Sequence, residues 1–298
     1  MILDILIGER EAAVPALTII DVGAMAEGEP RYAPLLQRCS ATLIGFEPQP
    51  AELEKLRSRA PAGRTYLPHF LGRGGPATFH ATRYPGCSSL YEPDPGLIDM
   101  FSTIGAGSPA GNFHVVSTSE VHTTRLDDVP GCARPDLIKL DVQGAELDVL
   151  EGGVATMAGA LVAEVEVEFV PLYRGQPLYG EIQIFFRKHG FQFHKFIDVG
   201  GRGFAPLTAT GNPFLPISQL LWADAVFVRD FADLGRYADD DLLKAALILD
   251  EVYRSYDLVA RLLLEYDRRR RSGLAGRYMA ELARAERRTL VLNLRQAP

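Results

Sequence analysis

The sequence predicts an α/β fold in which a doubly wound, mostly parallel sheet of seven strands is followed by a helical C-terminal appendage. Over the first two thirds of the chain, short β-branched runs alternate with helical stretches, as in a parallel sheet with crossover helices. From about residue 239, apolar residues recur every three or four positions, which is typical of helices. The 298 residues, 47% of them hydrophobic and 23% charged, have the composition of a globular protein with a large core.

The strands and crossover helices follow from these runs and from the residues that stop them. Pro48 follows the second strand, Pro61 ends the helix after it, and Gly190 closes the last crossover helix. The predicted strands are 19–23, 41–46, 64–71, 136–141, 160–169, 191–197 and 223–228. The predicted crossover helices are 32–39, 51–59, 145–150 and 179–189.

The alternation is interrupted between residues 72 and 116, where Gly, Pro and Ser are frequent. We expect an insertion there, with a β-hairpin that includes 77–82 and a long ordered loop, because loops of this length are usually functional. One domain is expected over 1–236 and a helical extension over 237–298. The extension should carry one helix face over 242–263 and a second helix over 274–288.

Charge, cysteines and hydropathy exclude several classes of protein. The formal charge of −7, from 31 basic and 38 acidic residues, disfavours nucleic acid as a partner. The basic cluster 268–271 is interpreted as a solvated helix face, since acidic residues flank it. Three widely spaced cysteines form neither a disulfide framework nor a zinc motif. We expect no membrane segment, no secretory leader and a cytoplasmic location.

The residues that end the strands are the first candidates for a binding site, because ligands of open parallel sheets lie beyond the carboxyl ends of the strands. The first strand ends with Asp21 and Gly23, a carboxylate that can bind an ammonium group and a glycine that allows close approach of backbone to a ligand. The second strand ends at Glu47, which is placed to accept hydrogen bonds from both hydroxyls of a ribose.

The turn after the first strand indicates which ribose ligand is bound. It lacks the Gly-x-Gly-x-x-Gly sequence of dinucleotide sites and carries Glu27 and Glu29, which would repel a phosphate. A ligand with adenine and ribose but no phosphate fits better, and S-adenosylmethionine is the candidate. An NAD-dependent oxidoreductase, which would also use Glu47, is the less favoured alternative.

Six blocks that occur in order along the chain resemble the FkbM-type methyltransferases, and the resemblance covers about residues 18 to 230. The block Lys139-Leu-Asp-Val-Gln-Gly-Ala-Glu146, joined to the other five, makes the resemblance specific. The six blocks are 20–24, 45–48, 85–90, 124–128, 138–146 and 166–178.

The resemblance implies a Rossmann-like class I fold that depends on S-adenosylmethionine and methylates a hydroxyl of a sugar or small secondary metabolite. It places Asp21 and Gly23 at the methionine end of the cofactor, while His69 and Phe70 either border the adenine or simply end a half-buried strand. The cofactor-binding candidates are Asp21, Gly23, Ala24, Glu47, Pro48, His69, Phe70 and Asp141.

Asp141, Glu166 and Glu168 are the candidate catalytic residues. Asp141 ends the fourth strand, where it can position the acceptor hydroxyl, contact the cofactor or cap the next helix. Glu164, Glu166 and Glu168 alternate with valines, so all three lie on one strand face, and burial would raise the pKa of a base such as Glu166. Salt bridges to basic neighbours are the alternative. Asp141 together with Glu166 or Glu168 would suit Mg²⁺, but no residue is assigned as a metal ligand.

The sequence also departs from the family pattern. Where family members have Asn-x-Gly after the first glycine turn, this chain has Met25-Ala-Glu27-Gly28. That altered turn and the appended helices leave a non-catalytic scaffold or assembly protein as an alternative. For the enzyme, we expect a small-molecule or glycan acceptor and a possible homo-oligomer through the C-terminal helices.

Overall fold

The computed structural model describes residues 1–8, 14–26 and 28–285. Its strands are β1 (Leu17–Val22), β2 (Ala41–Phe46), β3 (Arg64–Leu67), β4 (Gly75–Thr82), β5 (Val115–Thr123), β6 (Leu137–Leu140), β7 (Val162–Glu168), β8 (Phe191–Gly201) and β9 (Leu220–Arg229). Seven of them form one sheet in the order β3-β2-β1-β6-β7-β9-β8. Only β9 runs antiparallel to its two neighbours, so the predicted doubly wound, mostly parallel sheet is confirmed.

The helices, in chain order, are α1 (Ile2–Gly8), α2 (Ala33–Arg38), α3 (Pro50–Arg59), α4 (Pro95–Ile98), α5 (Glu146–Gly152), α6 (Val154–Met157), α7 (Tyr179–Lys188), α8 (Asp239–Glu251), α9 (Tyr256–Arg270) and α10 (Leu274–Ala285). No helix in the described residues is both long enough and apolar enough to span a bilayer. The chain divides into two compact units, one made of 1–17, 29–40 and 233–298, the other of 18–28 and 41–232. The expected domain boundary near residue 236 stays a prediction.

The two faces of the sheet in the second unit differ in chemistry because strand side chains alternate. An apolar row crosses four strands, with Ile20 paired to Ile138, then Ala163 and Phe227, and all four belong to the hydrophobic core. One residue further along, a charged row on the other face pairs Asp21 with Lys139 and Glu164. The sheet therefore has an apolar face and a face on which carboxylates converge.

Two predicted elements differ from the structure. The third strand ends at Leu67 instead of residue 71, since Pro68 has no N–H to donate to the ladder. The expected hairpin within 72–116 is instead a two-stranded antiparallel sheet of β4 and β5, which reaches Thr123. β5 is polar and largely exposed, so it lacks the apolar alternation that predicts a strand. The loop between the two strands has its own core, which includes Ile98 and Phe113.

The first unit consists of helices, and the single helix face predicted over 242–263 is divided there between α8 and α9. Arg254 adopts a left-handed backbone with φ +51°, which ends the helical path, while Val252 and Tyr253 stay buried and preserve the apolar periodicity. The second predicted helix is present as α10 up to Ala285, and residues 286–288 of that prediction lie outside the described residues.

Charged side chains of the first unit form hydrogen bonds and ion pairs within it. Buried Asp250 accepts hydrogen bonds from the backbone N–H of Ile2 and from the hydroxyl of Tyr278, at 2.8 and 2.7 Å. In the basic cluster 268–271, Arg268 and Arg269 form ion pairs with Glu265 at 2.8 and 2.7 Å.

Candidate active site

A cleft of about 630 Å³ opens at the carboxyl ends of β1, β2, β3 and β6, where the winding of the sheet reverses. Mostly apolar side chains line it, with a few polar groups from the strand ends. The lining residues are Val22, Gly23, Met25, Phe46, Glu47, Pro48, Gln49, His69, Phe70, Leu71, Phe79, Pro85, Gly86, Ser88, Ser89, Leu90, Asp141, Val142 and Gln143.

Glu47 is the most deeply buried carboxylate in this cleft, with 4% of its surface exposed. Its backbone N–H donates to the carbonyl of Leu67 at 3.1 Å, and its Oε1 accepts the backbone N–H of Gln49 at 2.7 Å. Burial raises the pKa of Glu47 to about 7, with smaller contributions from the charges of Glu52 and Asp21. One carboxylate is thus held rigidly at the end of β2, where it titrates near neutral pH.

The wall of the cleft beside Glu47 carries the other residues predicted from β2 and β3. Pro48, His69 and Phe70 all line it. The His69 ring lies 6.3 Å from the ring of Phe46, and Phe70 packs edge-on against Phe79 at 4.9 Å. This wall is apolar and aromatic, so it can take a flat ring against it.

The turn at the end of β1 is shaped by the neighbouring strand β6. Gly23 has φ +84°, and a Cβ at this position would lie 1.8 Å from the carbonyl oxygen of Asp141. Close contact with the backbone just after β6 therefore requires the glycine, which also lines the cleft. Asp21 and Ala24 are buried and do not line the cleft, and Asp21 lies 3.9 Å from the ammonium of Lys139. Met25 lines the cleft, while Glu27 lies outside the described residues.

The loop between β6 and α5 carries Asp141 and Gln143 in a constrained conformation. Gln143 and Gly144 have φ +57° and +100°, a left-handed pair that most residues avoid. The carboxylate of Glu146 accepts the backbone N–H groups of Val142 and Gly144, at 2.8 and 2.9 Å. Glu146 thus stabilises the conformation of the loop. It lies in the first turn of α5, where the helix dipole favours an acidic residue.

Asp141 is the centre of a hydrogen-bonded network of charged groups. The Lys139 ammonium lies 3.1 Å from its Oδ2, and the Gln143 amide donates to its Oδ1 at 3.0 Å. The same Gln143 nitrogen donates to Glu166, so one amide bridges the two carboxyl groups. Burial alone would raise the pKa of Asp141, but the charge of Lys139 and the hydrogen bonds from Gln143 and Glu166 hold it below its usual value.

The pKa of Glu166 is shifted in the opposite direction. Burial, and then the negative charge of Asp141, raise the pKa of Glu166 well above its usual value. The two shifts are opposite, so Asp141 loses its proton more readily than Glu166, and the Lys139 ammonium lies beside the Asp141 carboxylate. Such a divergence between neighbouring carboxyl groups is typical of acid–base sites. Of Glu164, Glu166 and Glu168, the first faces Lys139 and the other two face a cavity.

That second cavity also measures about 630 Å³ and adjoins the first cleft, because Gly86 and Gln143 line both. It combines two carboxyl groups, one guanidinium and several aromatic rings. Its lining residues are Tyr84, Gly86, Cys87, Ile104, Asn112, Phe113, Gln143, Glu166, Glu168, Leu172, Arg202 and Trp222. Within the described residues, no group of three or more His, Cys, Asp or Glu side chains is arranged to hold a metal ion.

Several residues of this site are absent from the sequence-based candidates. Gln143 adjoins Asp141 in the most specific sequence block, which could have singled it out. Ser89 donates to the carbonyl of Gln143 at 2.6 Å and so joins the insertion to this loop. Tyr173 lies in the sequence block 166–178, which could have singled it out, whereas nothing in the local sequence around Arg202 indicates a role.

The Tyr173 hydroxyl determines which way the Gln143 amide points, because it lies 3.1 Å from the Gln143 Oε1 and 3.0 Å from the carbonyl of Cys87. An amide whose oxygen is held by Tyr173 presents its NH₂ group to Asp141 and Glu166. We expect Tyr173→Phe to lower kcat of the reaction at this site about tenfold and to leave ligand affinity in the first cleft unchanged, since one hydrogen bond is worth about 1 kcal/mol.

A double-mutant cycle measures whether Tyr173 acts through Gln143. If it does, Tyr173→Phe has no further effect on kcat in a Gln143→Ala background. Equal losses of kcat in both backgrounds would show that Tyr173 acts independently of Gln143, and thermal unfolding of each variant measures the contribution of Tyr173 to stability.

Several solved structures match this chain at low sequence identity and low structural similarity. Solved structures that match include a putative methyltransferase from Thermoplasma acidophilum (10% identity, 74% of this chain and 71% of that one, TM-score 0.36) and an S-adenosylmethionine-dependent methyltransferase from Mesorhizobium loti (14%, 76% and 95%, TM-score 0.39). A third is a precorrin-6y C5,15-methyltransferase from Geobacter metallireducens (13%, 76% and 85%, TM-score 0.36). Similarities at this level say nothing about the acceptor of this chain. No curated protein matches.

The family model described as the methyltransferase FkbM domain matches residues 21–193, more than half of the chain. The match spans β1 to the start of β8 and includes the cleft, the loop that carries Gln143 and the carboxyl groups of β7. The resemblance inferred from the sequence blocks is confirmed. The chain belongs to the FkbM methyltransferase family, whose members use S-adenosylmethionine.

Proposed function

We propose that this protein transfers a methyl group from S-adenosylmethionine to a hydroxyl oxygen of a small acceptor, such as a sugar or secondary metabolite. The observation that carries the proposal is the junction of two cavities at Gln143, where Asp141 and Glu166 share its amide nitrogen. The cofactor would occupy the first cleft and the acceptor the second cavity, with the reacting atoms meeting at the junction.

The residues of the first cleft suit S-adenosylmethionine. Glu47 would accept hydrogen bonds from the ribose hydroxyls, and the wall with His69 and Phe70 would take the adenine. Pro48 and Gly23 complete the lining, whereas Asp21 would act indirectly, through the charge of Lys139. The cofactor has no phosphate, which agrees with a cleft lined by carboxylates.

The bound cofactor supplies a methyl group on a positively charged sulfur. During transfer, the acceptor oxygen forms a bond to the methyl carbon, the carbon–sulfur bond breaks, and its electron pair stays on sulfur. The hydroxyl proton passes to the ionised carboxylate of Glu166, which acts as general base. Gln143 holds that carboxylate in place beside Asp141, and Glu168 contributes a second polar group to the acceptor cavity. Alignment of the oxygen supplies much of the rate, as in other in-line displacements.

The proposal also covers the insertion, the class of acceptor, the location of the protein and the C-terminal helices. The insertion, through Ser89 and the loop between β4 and β5, would form one side of the acceptor site. We propose a small-molecule or glycan acceptor, a cytoplasmic location, and self-association through the C-terminal helices. The molar mass in solution, with and without residues 274–298, tests the last of these.

Calorimetric titration with S-adenosylhomocysteine, with NAD as the control ligand, tests the proposal first. We expect micromolar binding of S-adenosylhomocysteine and no binding of NAD. The reverse result would favour an oxidoreductase. Binding of neither ligand would favour the scaffold alternative, with the altered turn at Met25 as its cause.

A further inference from the structure

Arg202 is the basic side chain that lines the proposed acceptor cavity. It follows the last residue of β8, in the segment between β8 and β9, and lies beyond the part of the chain that the family model matches. The role of the second cavity as the acceptor site is taken from the proposed function.

The protein fixes the Arg202 guanidinium but leaves some of its hydrogen-bond donors without an acceptor. Its carbon lies 4.9 Å from the ring centroid of Trp222 and 5.5 Å from that of Phe214. Its Nη1 donates to the carbonyls of Gly201 and Phe214, at 2.7 and 2.9 Å. Its Nε is buried and has no hydrogen-bond partner among the described residues.

The same guanidinium has no carboxylate partner within ion-pair distance anywhere in 1–8, 14–26 and 28–285. Most partly buried arginines are paired, because an uncompensated buried charge is costly. Burial lowers the pKa of Arg202, as expected for a guanidinium that lacks such a partner. Aromatic faces, as at Trp222, hold a guanidinium plane while its edge stays available for a planar oxyanion.

The other charged groups of the cavity do not compensate Arg202. Burial raises the pKa of Glu166 and of Glu168 well above their usual values. Neither carboxyl group forms an ion pair with Arg202 in the part of the chain that the structure describes, so the guanidinium stays available to pair with an anionic ligand.

We propose that Arg202 selects the acceptor by binding an oxyanion, either a carboxylate or a phosphate, on a hydroxylated molecule. A guanidinium edge matches the planar oxygens of such groups and binds them through two hydrogen bonds where geometry allows. The acceptor would be a hydroxy acid, an acidic sugar or a sugar phosphate, with its ring against Trp222 or Phe113 and its hydroxyl toward Gln143.

Three small probes with the same ring test this directly: benzoate, phenyl phosphate and benzyl alcohol. In protein labelled with ¹⁵N-arginine, and saturated with S-adenosylhomocysteine, the Nε–H signal of Arg202 is assigned by its loss in Arg202→Lys. We expect this signal to shift saturably with at least one of the two oxyanions and not with benzyl alcohol. The two oxyanion titrations decide between a carboxylate and a phosphate. A signal unmoved by both, or moved equally by benzyl alcohol, would overturn the proposal.

Affinities measured on variants give the second line of evidence. We expect wild-type protein to bind the favoured oxyanion at least tenfold more tightly than benzyl alcohol, and Arg202→Met to lose that preference. Arg202→Lys keeps the charge but lacks the planar edge. Its preference for the oxyanion should lie between that of wild-type protein and that of Arg202→Met. Arg187→Met, an exposed arginine of α7 that lines neither cavity, is the control and should keep the preference. A preference that persists in Arg202→Met would refute the assignment. Titration of S-adenosylhomocysteine separately reports whether the proposed function itself fails.

Discussion

Glu166→Gln should lower kcat for methyl transfer about 1,000-fold, which corresponds to about 4 kcal/mol of transition-state stabilisation. The glutamine side chain has the same size and can still hydrogen-bond to Gln143, but it cannot take a proton from the acceptor hydroxyl. Affinity for S-adenosylhomocysteine should stay within twofold of wild type, because Glu166 lines the acceptor cavity and not the cofactor cleft. Single-turnover kinetics and calorimetric titration measure the two quantities.

Glu168→Gln is the matched comparison for this experiment. Both glutamates come from β7, lie on the same strand face and line the same cavity, but the bond to Gln143 belongs to Glu166. We expect kcat of Glu168→Gln to fall much less than that of Glu166→Gln. Equal losses in the two variants would mean that the cavity needs its carboxyl groups for acceptor binding and that Glu166 is not the base.

The pH dependence of kcat provides an independent check on Glu166. A general base must be ionised, and burial together with the charge of Asp141 raises the pKa of this carboxyl group. In wild-type protein, kcat should therefore rise with pH and level off above the raised pKa of Glu166. In Glu166→Gln this rise should disappear. A wild-type profile without any rise would argue for an acceptor that is already ionised, such as a carboxylate, which needs no base.

Glu47→Gln should weaken binding of S-adenosylhomocysteine about 100-fold, or about 2.7 kcal/mol, through loss of charge-assisted hydrogen bonds to the ribose. Glu52→Gln is the control, since Glu52 is a neighbouring acid that pairs with Lys55 and does not line the cleft. It should leave the affinity within about threefold. An affinity unchanged in Glu47→Gln would remove Glu47 from the cofactor site.

The ionisation of Glu47 determines whether the affinity for S-adenosylhomocysteine rises or falls with pH. Burial raises the pKa of Glu47 to about 7, and the ionised form is the better acceptor for ribose hydroxyls. Affinity for S-adenosylhomocysteine should therefore fall as pH decreases below about 7, and should be nearly constant above it. Glu47→Gln should bind weakly at every pH. Titrations between pH 5.5 and 8.5 decide this, a range chosen to bracket roughly 1.5 units on either side of a group that titrates near 7.

The sequence predicts the sheet well because its signals are local. Runs such as 41–46 are short, apolar and bounded by proline or glycine, so strand existence can be read directly, and the seven-stranded sheet is confirmed. Where the signal is weak, the predictions are wrong in detail. β5 is a polar, exposed strand and was missed, and the break at Arg254 is hidden by apolar periodicity that continues through it.

The residues of the candidate site are also partly predictable from the sequence. Glu47, His69, Phe70 and Asp141 lie just after the carboxyl ends of strands whose order the winding rule predicts, and they line one cleft. Their roles in binding and catalysis stay predictions. Gly23 also lines this cleft, and the structure adds a requirement that the sequence does not show, because a Cβ at this position would meet the carbonyl oxygen of Asp141.

The sequence by itself determined the fold class, the family and the carboxyl groups at the strand ends, because each depends on residues close together in the chain or on the alternation along a strand. Only the tertiary structure decided how these groups are connected. Tyr173 orients Gln143, Lys139 neutralises Asp141, and Arg202 reaches the cavity of Glu166. Tyr173 and Arg202 lie tens of positions along the chain from the residues that they meet in space. Lys139 and Asp141 are neighbours on one strand, but which of their side chains meet depends on how the strands and loops pack, and local sequence patterns do not show that packing.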